Sequence, residues 1–66
     1  MKLTAREEKV CTLLVEGKTD KEIARDIGYS CGYVRNIIHG LCGKMDALNR
    51  TVVAVKYDRM NRPDDG

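Results

Sequence analysis

Phenylalanine and tryptophan are absent from this chain. Aromatic stacking platforms for single-stranded nucleic acid are therefore not expected. No apolar run approaches the roughly 18 residues that cross a membrane, so no membrane partner is expected. Cysteine is scarce and odd in number, Cys11, Cys31 and Cys42, with nothing like a signal peptide ahead of it. That excludes a disulfide scaffold and points to a reducing, cytoplasmic setting. On a helix Cys31 and Cys42 would stand roughly 16 Å apart, beyond disulfide reach. His39 and Cys42 share i, i+3 spacing, but two ligands do not make a structural metal site, and no cofactor motif is present. The only histidine has no nucleophile with an orienting acid, and no glycine-rich phosphate loop follows a strand, so an enzyme lacks its parts.

With 66 residues the chain has room for one domain. A receiver or ligand-binding domain does not fit beside it, so control by abundance, by partners or by a domain outside this sequence is expected. A core this small is marginal, and a second copy of the chain would help to cover it. Twelve Lys and Arg stand against ten Asp and Glu, a net charge of +2. That total says little about partners, so the distribution has to decide. From Ile27 through Met45 no acidic residue occurs, while Arg35, His39 and Lys44 lie inside the window.

Helix boundaries are strongly punctuated. Thr4 and Glu7 have the spacing of a capping box ahead of Val10, Leu13 and Leu14, and Gly17 is a natural stop. Thr19 and Glu22 repeat the device before Ile23, Ala24 and Ile27, and Gly28 closes that helix. Ser30 then caps a third helix and Asn49 a fourth. The valine run after Asn49 resembles a strand, but no second strand exists to pair with it, so a helix is expected. The expectation is an all-α domain over residues 1–60 with a frayed tail over 61–66. Its second and third helices are joined only by Gly28, Tyr29 and Ser30, which is the spacing of a helix-turn-helix.

The third helix poses a question of its own. It carries Gly32, Gly40 and Gly43, and each interior glycine costs roughly 1 kcal/mol against alanine. A turn of about 100° per residue gathers Val34, Ile37, Ile38, Leu41 and Met45 into a core stripe. Arg35, Asn36, His39 and the three glycines fall opposite, with Tyr33 and Lys44 on one flank and Cys31 and Cys42 on the other. An outer face without side chains can lie close against another surface, and the floor of a DNA major groove is one such surface. The plainer reading is that nothing packs against solvent-facing glycines, which therefore carry no message.

Taken together, "LTAREEKVCTLLVEGKTDKEIARDIGYS", "YVRNII" and "KMDALNR" resemble the LuxR-type helix-turn-helix domain of bacterial transcription regulators, from Leu3 to about Val55. The resemblance implies four helices, a third helix that reads bases, and dimerisation through the fourth. It places Arg35 at the family's groove-facing lysine, with Asn36 and His39 at neighbouring positions. Thr19, Lys21 and Tyr33 fall where family members approach phosphate, Lys44 and Arg50 match the basic residues around the end of the third helix, and all five are expected to contact phosphate. Three positions depart from the pattern. Tyr33 replaces a threonine, Ile37 a histidine common in the middle of the helix, and Asp46 a glycine. Target sequence therefore does not transfer.

Side-chain chemistry agrees with this placement. A guanidinium such as Arg35 bridges guanine O6 and N7, the Asn36 amide matches adenine N6 and N7, and His39 can donate to guanine or phosphate. The competing reading is an ordinary solvated helix face. Cys11 is expected to fill a core position as a small hydrophobe. Lys18, Arg25, Lys56, Arg59 and Arg62 are expected to be ordinary solvated charges with respect to DNA. On the fourth helix Val53, Tyr57 and Met60 form a core stripe. Val52 and Val55 form a second stripe, bordered by Lys56 and Arg59. A chain this small cannot bury both, so the second is expected to meet another copy in a homodimer. Duplex DNA is the expected partner, with RNA polymerase or another regulator as a possible protein partner. The alternative is an interaction module of the same fold that binds another regulator or a polymerase subunit and no DNA.

Overall fold

A computed structural model describes residues 2–61. Four helices make up the domain in the order α1 (Ala5–Val15), α2 (Asp20–Ile27), α3 (Cys31–Lys44) and α4 (Arg50–Asn61), with no strand among the described residues. Each expected cap forms. The Thr4 hydroxyl accepts from Glu7 N–H at 3.1 Å, and Thr4 N–H donates to Glu7 Oε1 at 2.9 Å. Thr19 and Glu22 make the same reciprocal pair. Ser30 Oγ accepts from Tyr33 N–H, and Asn49 Oδ1 from Val52 N–H. These bonds satisfy donors that a helix start leaves without partners.

The helix ends are equally defined. Gly17 takes φ +83°, a left-handed conformation that a Cβ would oppose, and Lys18 N–H reaches back to the Leu13 carbonyl at 3.0 Å. At the end of α3 the same reverse geometry falls on Asp46, at φ +53°, with Ala47 N–H donating to the Cys42 carbonyl at 2.8 Å. Asp46 is where the resembled family carries glycine. A short polar side chain tolerates this conformation better than most, though less well than glycine.

Val10, Cys11, Leu13 and Leu14 of α1 pack with Ile23 and Ala24 of α2, Val34, Ile38 and Leu41 of α3, Met45, and Val53 of α4. Ile27, Ile37 and Tyr57 are half-buried against this core. Met60 departs from the sequence reading. At 52% exposure it lies outside the core, two turns beyond the buried Val53 and next to the last residue of the helix. Asn61, expected in the tail, is the last residue of α4, and 62–66 lie outside the described residues. None of the described helices is long and apolar enough to cross a membrane.

The packing sets up the site. α1 lies mainly along α4 and also touches α2 and α3, while α2 and α3 pair across Gly28–Tyr29–Ser30. One long side of α3 is thus enclosed, and the opposite side is left outward.

Candidate nucleic-acid interface

Gly32, Arg35, Asn36, His39, Gly40 and Gly43 are all exposed along the outer side of α3. A Cβ built on Gly40 or Gly43 would meet no heavy atom within 4 Å, so no packing inside the domain demands a glycine there. The side chains of Asn36 and His39 make no hydrogen bond among the described residues.

The flank facing α1 is bound up with that helix. Arg6 donates to the Tyr33 hydroxyl at 2.8 Å, and its guanidinium lies 4.6 Å from the centre of the Tyr29 ring. Tyr29 and Tyr33 stack with centroids 4.3 Å apart. The hydroxyl bond to Tyr33 and the nearby Tyr29 hold Arg6 even more firmly protonated than usual. Lys44 donates to both carboxylate oxygens of Glu7, at 2.8 and 3.0 Å. That bond, with the backbone bond from Thr4, lowers the Glu7 carboxyl below its ordinary range. One glutamate therefore caps α1 and ties down the end of α3. The capping role of Glu7 is legible in its three-residue distance from Thr4, but nothing in the chain marks its pairing with Lys44. The parts played by Arg6 and Tyr29 carry no sequence signal either, because their partners lie on other helices.

At the other end of the site Asp20 stands between two arginines. Its Oδ2 is 3.5 Å from Arg35 Nε, and its Oδ1 is paired with the Arg50 guanidinium. Lys21 beside it is exposed, and the Thr19 hydroxyl is engaged in its own cap. Asp20 thus joins the start of α2 to Arg35 of α3 and Arg50 at the start of α4, while Tyr33 and Lys44 are engaged with α1.

The second stripe of α4 is partly covered. Val52 is half-buried, while Val55 and Arg59 are exposed. Lys56 is not an ordinary solvated charge: it turns back and donates to the carbonyls of Met45 and Asp46, at 3.0 and 2.8 Å. It supplies the donor that the end of α3 lacks.

Among the described residues no group of three or more His, Cys, Asp or Glu is placed to hold a metal. Cys11 is fully enclosed, and burial pushes its thiol up to about 11, which keeps it un-ionised at neutral pH. Cys31 and Cys42 are half-buried on the flank away from α1's polar contacts.

Four helices, with the second and third joined by a tight turn and an uncovered polar side on the third, define a helix-turn-helix domain. The family described as bacterial regulatory proteins, luxR family, matches residues 1–57, and the chain belongs to it. It is a family of transcription regulators, not of enzymes. The transcriptional regulatory protein DesR of Bacillus subtilis is 42% identical over 48 residues, 73% of this chain and 24% of DesR. The transcriptional regulatory protein LiaR of the same organism is 38% identical over 57 residues, 86% of this chain and 27% of LiaR. The spore germination protein GerE, also from Bacillus subtilis, is 41% identical over 58 residues, 88% of this chain and 78% of GerE. The chain thus spans about a quarter of the length of DesR and LiaR. No solved structure is a significant match.

Proposed function

We propose that this domain binds double-stranded DNA sequence-specifically in the cytoplasm, as a dimeric regulator of transcription with α3 in the major groove and no cofactor. The observation that carries the reading is the outer side of α3. Three side chains suited to base edges share one exposed face with three glycines, in a stretch of chain free of acid. Arg35, Asn36 and His39 read bases. Thr19, Lys21, Tyr33, Lys44 and Arg50 meet phosphates, which positions the domain without reading sequence. Tyr33 and Lys44 reach phosphate by exchanging Arg6 and Glu7 for the backbone, a swap that a surface ion pair resists only weakly.

Dimerisation runs through the second stripe of α4, at Val52, Val55 and Arg59, with the aliphatic stem of Lys56 along its border. Two copies would then set two α3 helices one DNA turn apart, so that inverted half-sites are read.

Selection of bound sequences from random duplex DNA, repeated with Arg35→Ala, tests this function. The expected result is a selected inverted repeat for the parent chain, binding that weakens steeply with salt, and relaxed choice at one position in the variant. A chain that retains no duplex DNA at low salt overturns it and supports the interaction module instead.

A further inference from the structure

We infer that Asp20 is a specificity-determining residue that acts through Arg35: its carboxylate biases the guanidinium toward its reading direction and offsets the charge that would otherwise favour any DNA. The inference rests on the DNA-binding reading above. Asp20 is the first residue of α2, Arg35 belongs to α3 and Arg50 opens α4, so one carboxylate joins three elements of the interface. The arrangement is asymmetric. The Asp20 side chain is 20% exposed, against 70% for Arg35 and 41% for Arg50, so a sheltered anion faces two arginines that reach outward.

Helix capping does not account for this carboxylate. Thr19 and Glu22 already satisfy the start of α2 by reciprocal bonds. Oδ1 of Asp20 is out of contact with water and is paired with the Arg50 guanidinium, while Oδ2 faces Arg35. A carboxylate serving only the helix dipole would do as well fully solvated. Stability is an equally poor reason, since a pair with a largely exposed arginine contributes little in water.

Geometry supplies a better one. Asp20 meets Arg35 at Nε, and Arg35 has no other polar partner among the described residues. The two terminal nitrogens, the pair that spans guanine O6 and N7, are left for a base edge. The contact is a charge pairing rather than a hydrogen bond, and it biases the directions that the fork takes before DNA arrives without fixing them. The same negative charge subtracts from the electrostatic attraction that any duplex exerts on the domain. That charge lowers specific and non-specific binding alike, so the ratio of the two rises only through the direction given to Arg35.

Asp20→Asn in the 66-residue chain is the test, with affinity measured for the selected duplex and for a random duplex of equal length across a salt series. The expected result is tighter binding to random DNA and a salt dependence steeper by about one phosphate contact. The ratio of specific to non-specific affinity should fall about tenfold, the scale of one misdirected bidentate contact. In an Arg35→Ala background the same substitution should leave that ratio unchanged, which identifies Arg35 as the route. Asp20→Ser removes the carboxylate with a different residue suited to a first helical turn, and carries the test if the asparagine variant does not fold. An unchanged ratio, or a parallel loss of both affinities, overturns the inference while leaving DNA binding intact. Failure of the parent chain to bind duplex DNA at all removes both.

Discussion

The two long sides of α3 obey different rules. On the inner side Val34, Ile38 and Leu41 are buried among residues of all four helices, and volume and shape decide what is allowed. On the outer side Gly40 and Gly43 face open space, and nothing in the folded domain opposes a larger residue. The backbone shows the same inversion. Glycine occupies helical positions that do not require it, while the left-handed turn just beyond, where glycine would be the natural choice, holds Asp46. A helix shaped only for stability would have these residues the other way round. The outer side instead carries glycines that no contact inside the domain explains.

Substitutions on each side test that contrast. Leu41→Ala should cost about 2–5 kcal/mol. That is comparable with the roughly 3–10 kcal/mol available to a chain of this size, so thermal melts by circular dichroism should show a largely unfolded protein. Arg35→Ala should leave the melting temperature almost unchanged and reduce discrimination between duplexes by about 1–3 kcal/mol, read from competition binding. Loss of stability with that variant would show that the outer side is not separate from the core.

Gly40→Ala and Asp46→Gly form a matched pair. Each should stabilise the free domain by up to about 1 kcal/mol, the first through helix propensity and the second by relieving the left-handed conformation. Only Gly40→Ala should weaken DNA binding, because only it adds a side chain to the approaching face. Equal affinities for the pair would mean that the bare face has no bearing on contact.

The smallest effect concerns the flank. The carboxyls of Glu7 and Glu22 titrate below their ordinary range, Glu7 through Lys44 and the Thr4 backbone, Glu22 through the Thr19 backbone. Their contribution to stability is full above the unfolded-state carboxyl range, about pH 4.3. It is lost as pH falls through the lower folded values. Melting temperature should therefore decline in acid. Glu7→Gln retains an acceptor for the cap but abolishes the pairing with Lys44, so its acid decline should be shallower. The surface pair itself is worth roughly 0.2–1 kcal/mol, and melts recorded from pH 7 to pH 3 would resolve it.

Most of the fold was legible along the chain because its signals are local. Thr4 with Glu7 and Thr19 with Glu22 act within three residues, and the stripe from Val34 to Met45 needs only helical periodicity to be seen. Reading α4 as a helix depended on exclusion, since its valines favour strands and only the lack of a pairing partner spoke against one. Met60 was misplaced because periodicity assigns a face without saying how far along α4 the neighbouring helix reaches. The outer face of α3 was legible for the same reason as its inner face, as the complement of the core stripe.

The sequence by itself determined where the helices start and stop, which side of each is apolar, and which residues of α3 lie outside the core. All of these depend on groups a few positions apart, whose relative placement a helix dictates. Only the tertiary structure decided that Glu7 ties down Lys44, that Arg6 holds Tyr33, that Lys56 closes the end of α3 and that Asp20 stands between Arg35 and Arg50. Those pairs join different helices, and whether two charges from different helices meet depends on how the apolar stripes pack, a condition that chain spacing does not encode.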